Sequence, residues 1–369
     1  MKIDLLRVTN LRCFEGVSFA PGDGVNWLVG QNGAGKSTLL EAAYILSHGR
    51  SFRAGGRGAP SRHGTHEYLI HAVLTRRDRS GIRLGLARKD ERWQARLDGA
   101  DVASLAPLFG ACPVVCFGPE SQTLVTGPAE DRRAFLDWSV FHVEHASLEL
   151  WRAWRRTLRQ RNALLRSGAP DRDFEPWEHD LAALAGKIHA ARGACLDGLT
   201  PYLAEEADWL VPELGSCTVD YRPGWNVELG LQSQLEHQRS RERERGFTQY
   251  GAHRADWSPV FGGIAHREHL SRGQAKAVAL VCLLAQARWL HDRIGEYPLL
   301  CLDDLGSELD RDHADKVVAW LAGKPLQAWL TATMEPGPKA RAVADVFHVE
   351  HTRINPALRP PGGDVPDPL

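Results

Sequence analysis

Residues 30–38 have the residue types and spacing of a phosphate-binding loop, G-x-x-x-x-G-K-[ST]. The nine residues are Gly30, Gln31, Asn32, Gly33, Ala34, Gly35, Lys36, Ser37 and Thr38. Glycines let backbone N–H groups wrap a triphosphate, and the N-terminus of a following helix adds partial positive charge. Lys36 would neutralise the β- and γ-phosphates, and the Ser37 hydroxyl would hold Mg²⁺. The loop therefore predicts a binding site for a nucleoside triphosphate.

Two adjacent carboxylates, Asp303 and Asp304, follow the apolar run at 298–302. A carboxylate at the end of a buried strand lies where α/β sheets bind their ligands. We expect Asp303 to be the Mg²⁺ partner of Ser37, and Asp304 to orient or deprotonate the attacking water. An Asp-Asp pair after a strand is often only a turn. Together with the phosphate loop, however, it predicts a site that hydrolyses a nucleoside triphosphate.

The elements that must position these residues are visible on both sides of the loop. The buried run at 25–29 predicts a strand, and apolar residues at helical spacing predict a helix directly after the loop. Three alternating runs at 68–74, 82–87 and 93–97 predict an antiparallel meander, and 113–117 predicts a buried strand. In the last third we expect helices and strands in alternation, with helices at 275–290 and 316–321 and strands at 298–302, 327–331 and 346–349.

In the middle of the chain the spacing of apolar residues changes and favours long helices. We expect one helix around 151–165, a second from 181 to 199 that Pro201 ends, and a third from 229 to 245. This predicts a nucleotide-binding head split by a helical insertion. The expected division is 1–127 for the first part of the head, 128–245 for the insertion, 246–355 for the second part and 356–369 for a disordered tail.

Composition limits the function classes. The net charge of −1 over 369 residues provides no overall attraction to nucleic acid, so any such contact must come from a local patch. Seven scattered cysteines without a C-x-x-C pair indicate reduced thiols rather than disulfides or a zinc site. Neither a signal peptide nor an apolar run of membrane-spanning length is present, so we expect a cytoplasmic protein.

Two further strings belong with the phosphate loop. Leu270-Ser271-Arg272-Gly273-Gln274 opens a predicted helix, and Ser271 is by itself a good N-cap. The string also resembles the L-S-G-G-Q signature of ABC-type ATPases, with Arg272 in place of the first glycine. Ser307-Glu308-Leu309-Asp310 resembles the D-loop of the same class. Thr331-Ala332-Thr333 falls where related ATPases keep a γ-phosphate sensor, and we expect Thr333 to be that sensor. In that class the signature of one protomer faces the γ-phosphate held by another, so the resemblance implies ATP buried between two subunits.

Nearly the whole chain resembles the RecF family. The strings that carry this resemblance lie at 11–14, 49–53, 132–138, 270–276, 302–310 and 347–350. The resemblance implies an ABC-type P-loop ATPase head of α/β architecture, in which a mixed sheet and an antiparallel β subdomain accompany an inserted helical lid domain. It also implies a cytoplasmic protein of DNA replication and recombinational repair. Such a protein forms an ATP-dependent homodimer on double-stranded and gapped DNA. Its ATPase is weak and is stimulated by DNA. It works with RecO and RecR to help load RecA.

Arginine-rich stretches are the candidate DNA contacts. The arginines between 152 and 166 have no acidic residue among them, and a second group at 50, 53, 57 and 62 follows the phosphate-loop helix. Both groups are suited to tracking duplex phosphates. The competing interpretation of the first group is the ordinary solvated face of an amphipathic helix. The expected DNA contacts are Arg53, Arg57, Arg152, Arg155 and Arg159.

Three alternatives remain open at this stage. A nucleotide-binding subunit of a membrane transporter normally has its signature much closer to the phosphate loop, and a Glu where this chain has Asp304. A structural clamp of the SMC type needs long heptad arms and a hinge. A binding module with a vestigial ATPase would retain the loop but would not turn over ATP.

Overall fold

The computed structural model describes residues 1–53, 60–90, 92–262, 270–350 and 353–356. It divides into two compact units. The first, which we call the head unit, contains the chain up to Gly118 and again from Tyr297 onward. The second, which we call the helical unit, is Pro119–Glu296.

The first part of the head unit is mainly β structure. Its elements are β1 (Lys2–Leu11), β2 (Phe14–Phe19), β3 (Val25–Val29), α1 (Lys36–His48), β4 (Glu67–Thr75), β5 (Ile82–Lys89), β6 (Arg92–Leu97), β7 (Ala100–Asp101), α2 (Ala106–Ala111) and β8 (Val114–Phe117). Six of these strands form an antiparallel sheet in the order β2-β1-β4-β5-β6-β7. The predicted meander is confirmed: β4, β5 and β6 pair in succession and antiparallel. Apolar residues at alternate positions of β4 are buried on one face of the sheet, which is the pattern seen in the sequence.

The helical unit follows. Its elements are α3 (Thr123–Thr126), α4 (Ala129–Val143), α5 (Ser147–Ser167), α6 (Glu175–Leu210), β9 (Cys217–Arg222), α7 (Leu231–Arg245), β10 (Asp256–Phe261) and α8 (Arg272–Ile294). Strands β9 and β10 form an antiparallel pair. Within the described residues the longest helix, α6, has 36 residues.

The expectation that Pro201 ends the second helix is wrong. Helix α6 continues through it to Leu210. Proline removes one backbone hydrogen bond and costs about 3 kcal/mol inside a helix. The next two turns bury Leu203, Ala207 and Leu210 completely, and this apolar burial offsets the cost.

The chain then returns to the head unit. The remaining elements are β11 (Leu299–Leu302), α9 (Leu305–Glu308), α10 (Arg311–Ala322), β12 (Ala328–Ala332), α11 (Pro338–Ala342), β13 (Ala344–Glu350) and β14 (Arg353–Pro356). A second sheet has the order β14-β13-β3-β12-β11-β8, parallel except for β14. The head unit is therefore α/β with a separate antiparallel sheet, as expected. Apolar side chains of both sheets and of α1 share one buried core.

The predicted division of the chain differs from the observed one. The head unit ends at Gly118 rather than 127, and residues 246–296 belong to the helical unit rather than to the head. The physical reason is local pairing: β10 pairs with β9, and α8 packs along α6. Of the tail predicted at 356–369, only Pro356 is described, and it ends β14.

Candidate nucleotide-binding site

The topology of the parallel sheet brings the sequence-predicted residues of the head unit to one edge. Strand β12 lies between β3, which leads into the phosphate loop, and β11, which ends at Asp303. Because the three strands are parallel, their carboxyl ends meet at the same side. The backbone N–H of Gly30 donates to the Ala332 carbonyl at 3.2 Å and fixes the start of the loop to β12.

Two glycines of the phosphate loop are required by its geometry. Gly35 has φ +108°, and a Cβ there would lie 2.4 Å from the Phe14 ring. A Cβ at Gly30 would lie 2.4 Å from the Val349 carbonyl oxygen. Gly35 is also the N-cap of α1, and without a side chain it does not cap the first N–H groups of that helix. These groups form an anion-binding helix N-terminus.

Lys36 lies inside the loop and is 8% exposed. Its Nζ donates to the carbonyl oxygens of Gly30 at 2.7 Å and Gln31 at 2.9 Å. Burial lowers the pKa of Lys36, and the nearby carboxylates of Asp304 and Asp303 oppose this shift. The ammonium is therefore held at the centre of the loop, where a phosphate group can take over its hydrogen bonds.

Ser37 and Asp303 meet, as the sequence predicts. The Ser37 hydroxyl donates to Asp303 Oδ1 at 2.6 Å, and the Asp303 side chain is buried. One hydroxyl and one carboxylate fit the way Mg²⁺ binds beside nucleotides, since this ion takes few protein oxygens and completes its shell with phosphates and water. Within the described ranges, no group of three or more His, Cys, Asp or Glu is placed to hold a metal ion.

Asp304 has an unusual backbone. Its φ is +53°, in the left-handed region that residues other than glycine rarely adopt. Its N–H donates to Thr331 Oγ1 at 2.8 Å, and its carbonyl accepts from the Ser307 N–H at 2.9 Å. Such conformations cost of order 1 kcal/mol or more and cluster at functional sites.

These residues line one cavity of about 350 Å³. Its wall contains Arg12, Cys13, Asn32, Gly33, Gly35, Lys36, Ser37, Thr38, Arg53, Asp304, Thr331 and Thr333. The sequence did not point to Arg12 or Cys13 as site residues, and of the threonines at 331 and 333 we expected Thr333 to be the functional one. The cavity joins the phosphate loop to Asp304 at the acidic end of β11, so phosphate-binding and acidic groups face the same space.

Two arginines of the cavity wall share a buried carboxylate. Glu41 of α1 is fully buried and accepts two hydrogen bonds at 3.1 Å from Nε and one at 2.7 Å from Nη2 of Arg12. The hydrogen bonding to Glu41 raises the pKa of Arg12. Arg53 Nη1 lies 3.8 Å from Glu41 Oε2. Arg53, which we expected at DNA, therefore lies in the cavity wall, and Arg57 lies outside the described residues.

The D-loop residues are held by their own chain. Ser307 Oγ donates to the Asp304 carbonyl at 3.1 Å. Asp310 is the N-cap of α10, where its Oδ1 accepts from the His313 N–H at 3.0 Å. This bond, together with one to the His313 ring, lowers the pKa of Asp310. Thr333 is exposed in the cavity wall, just beyond the end of β12.

The signature residues lie in the helical unit, at the start of α8. The expected N-cap is confirmed: Ser271 Oγ accepts from the Gln274 N–H at 3.2 Å, and Gln274 Oε1 accepts from the Ser271 N–H at 3.0 Å. Arg272 and Gly273 are the first two helical residues. Among the described residues, a Cβ at Gly273 would meet nothing within 4 Å, so their packing does not require this glycine.

The predicted DNA-binding arginines of the helical unit lie on α5. Its inner side buries Trp151, Trp154 and Leu165. Its outer side exposes four arginines at helical spacing, namely Arg152, Arg155, Arg156 and Arg159. Arg152 pairs with Glu149 at 2.6 Å. The helix thus presents a cationic stripe, with no acidic residue between positions 150 and 170.

Comparison with known proteins agrees with this geometry. The family described as RecF/RecN/SMC N terminal domain matches residues 2–354. The DNA replication and repair protein RecF of Xanthomonas euvesicatoria is 42% identical over 96% of this chain and 98% of its own length. That of Stenotrophomonas maltophilia is 43% identical over 96% and 99%. The chain belongs to the RecF family.

Solved structures support the fold. The recombination mediator protein RecF with ATPrS superposes with a TM-score of 0.86 at 23% identity, covering 97% of this chain and 98% of that one. An Smc head bound to the C-winged helix domain of ScpA gives a TM-score of 0.55 at 13% identity, covering 95% and 94%. The expected ABC-type ATPase fold is therefore confirmed. The fold is that of ATP-hydrolysing heads.

The family membership also bears on the alternatives. The two relatives named above, which match the chain over nearly its whole length, are both named DNA replication and repair protein RecF. The SMC heads share the fold at much lower similarity. In the described part of the chain, no helix is both long enough and apolar enough to cross a membrane.

Proposed function

We propose that this chain is an ATP-dependent DNA-binding protein of DNA replication and recombinational repair. In this proposal ATP and Mg²⁺ bring two copies together on duplex DNA beside single-strand gaps, and slow, DNA-stimulated hydrolysis releases them. The observation that carries it is the contact of Ser37 with Asp303 at 2.6 Å beside the phosphate loop, in a chain whose relatives are named DNA replication and repair protein RecF. One related structure has RecF with ATP in its name, which supports ATP as the nucleotide.

Each residue of the site has a role in this mechanism. Lys36 exchanges its two loop carbonyls for the β- and γ-phosphates, while N–H groups at the start of α1 bind phosphate oxygens. Ser37 and Asp303 hold Mg²⁺, which when bound neutralises charge that develops on the phosphates. Asp304 orients the attacking water and accepts its proton.

The second half of the site comes from another copy of the chain. In this proposal Ser271, Arg272, Gly273 and Gln274 approach the γ-phosphate held by the partner, with the α8 N-terminus adding positive potential. The capping box supports this, because it fixes the direction of the first N–H groups of α8. Ser307 and Asp310 lie at the same interface, and Thr333 senses the γ-phosphate. ATP then favours the dimer because its γ-phosphate contacts both copies.

The cationic stripe of α5 is the proposed DNA contact. Arg152 and Arg159 are two helical turns apart, about 10 Å, a distance that spans roughly three successive phosphates along the duplex axis. Arg155 lies between them on the same exposed side. Arg53 is a second proposed DNA contact, because its side chain is 43% exposed although its Nη1 lies 3.8 Å from Glu41.

The remaining partners follow from the relatives. A related structure is described as part of the RecFOR pathway, which supports joint action with RecO and RecR and, through them, help in loading RecA. We propose that the protein acts on DNA in the cytoplasm.

Sedimentation of the full chain tests the central step. With ATP, Mg²⁺ and duplex DNA the protein should sediment as a dimer, and with Mg²⁺ chelated it should sediment as a monomer. A monomer under all conditions would refute the proposed switch.

A further inference from the structure

The hydroxyl of Thr331 lies between the two carboxylate residues of the site. Thr331 is 1% exposed near the end of β12. Its Oγ1 donates to Asp303 Oδ1 at 2.7 Å and accepts from the Asp304 backbone N–H at 2.8 Å. An N–H group can only donate, and a hydroxyl has a single proton. The direction of both bonds is therefore fixed, with the proton directed to the carboxylate.

The sheet register explains why this residue reaches both acids. Strand β12 pairs with β11 up to Leu330 opposite Leu302, so Thr331 is one position further on, beside Asp303. The other neighbour of β12 is β3, where Thr331 pairs with Leu28 just before the phosphate loop. Asp303 Oδ1 thus accepts one hydroxyl proton from α1, that of Ser37, and one from β12.

We propose that Thr331 is a positioning residue for ATP hydrolysis. Its hydroxyl holds the Asp303 carboxylate in the orientation that it shares with Ser37, and it also holds the left-handed backbone of Asp304. One side chain thereby sets both the Mg²⁺ ligand and the carboxylate that orients water. This inference rests on the proposed ATP mechanism. It adds a residue that lies outside the sequence strings that carry the resemblance to the RecF family.

The strained backbone of Asp304 supports this role. A left-handed conformation at a residue other than glycine persists only where its surroundings hold it. The surroundings here are Thr331 on the N–H side and Ser307 on the carbonyl side. Removal of the Thr331 hydroxyl takes away one of these restraints and one of the two hydroxyl donors to Asp303.

The test compares two substitutions at one position. Thr331→Val keeps the β-branched shape and removes the hydroxyl, while Thr331→Ser keeps the hydroxyl and removes the methyl group. Ser47→Ala is the matched control, because Ser47 of α1 is buried and its hydroxyl accepts from the Val114 N–H at 3.1 Å, away from the cavity wall. For each full-length protein, the Kd for the fluorescent nucleotide mant-ATP is measured with excess Mg²⁺ and with EDTA, together with kcat and KM for ATP.

Thr331→Val should leave the Kd in EDTA within about twofold of wild type, while the gain in affinity from Mg²⁺ and the value of kcat each fall about 10- to 100-fold. Thr331→Ser should stay within about threefold of wild type in both quantities. Ser47→Ala should lower the melting temperature without changing either.

Two results would overturn the inference. One is a Thr331→Val protein with the wild-type Mg²⁺ effect and kcat, and the other is a Thr331→Ser protein as impaired as Thr331→Val. The proposed function fails separately. If the wild-type protein itself binds no mant-ATP with or without Mg²⁺, the ATP mechanism is wrong and the role of Thr331 falls with it.

Discussion

Replacing Ser271 by Asp separates the structural role of this residue from its proposed role in the partner's ATP site. Asp is as good an N-cap as Ser, and its charge favours a helix N-terminus, so the capping interaction with Gln274 is retained. The stability of the protein should therefore change by less than about 0.5 kcal/mol. In the closed dimer, however, the new carboxylate would face a γ-phosphate.

The size of the effect follows from the charges. Two like charges about 4 Å apart at an effective dielectric constant near 20 repel by about 4 kcal/mol. That corresponds to roughly a thousandfold weaker association for each of the two sites. Nucleotide binding by the monomer should be unchanged, because the phosphate loop of the same chain is intact.

The assay has two arms and two controls. Sedimentation with ATPγS and Mg²⁺ measures dimerisation, and mant-ATP titration measures binding to the monomer. Ser271→Ala loses the cap at a cost of about 1 kcal/mol but adds no charge, so it should still dimerise. Ser271→Arg should bind ATP and fail to dimerise. If Ser271→Asp dimerises with ATPγS as wild type does, the signature does not face a phosphate in the dimer.

Three other substitutions test separate parts of the account. Lys36→Arg should weaken mant-ATP binding by at least about tenfold, because a planar guanidinium does not fit where the ammonium lies 2.7 and 2.9 Å from two loop carbonyls; binding at the wild-type level would contradict that role. The double substitution Arg155→Glu and Arg159→Glu should leave ATP binding unchanged. In a filter-binding series over salt concentration, the slope of log affinity for duplex DNA against log salt should fall by the equivalent of about two phosphate contacts. An unchanged slope would exclude α5 as a DNA contact. Burial lowers the pKa of His253 to about 4, so its ring is neutral in the folded protein while the unfolded chain takes up a proton below about pH 6.5. Stability should therefore fall by about 3 kcal/mol between pH 6.5 and 4, and urea unfolding of His253→Gln should show a shallower fall over this range; an identical pH profile would refute the assignment.

The parts of the site that are contiguous in sequence could be predicted from it. Residues 30–38 and the pair Asp303 and Asp304 have local patterns whose chemistry depends mainly on a strand end and a helix start. The structure adds that Ser37 and Asp303, 266 positions apart, are in contact, as those patterns imply.

Other contacts of the site depend on tertiary packing and had no local signal. Glu41 is one acidic residue in an apolar helix, and only the fold shows that Arg12 reaches it from the turn after β1. We expected Thr333 to be the functional threonine after β12, whereas Thr331 makes the contacts with the two acids. The register of β12 against β11 decides this, and a strand's sequence does not show its register.

The fold was predictable to a similar extent. Alternation revealed the meander of β4 to β6, because one face of it is buried. The pairing of β9 with β10 joins two segments with a helix between them, so the sequence did not show that residues 246–296 group with the helical unit. Pro201 is a local signal that tertiary burial overrides.

Mixing two defective proteins tests most directly whether two copies share each nucleotide. Lys36→Ala lacks a working phosphate loop, and Ser271→Asp lacks a working signature. A mixed dimer has one complete site, built from the loop of the second protein and the signature of the first. If two copies share each site, each protein alone should hydrolyse almost no ATP. The mixture should hydrolyse ATP, and its rate per protein molecule should rise with protein concentration as mixed dimers form. A mixture as inactive as its components at every concentration would contradict a site shared between two chains.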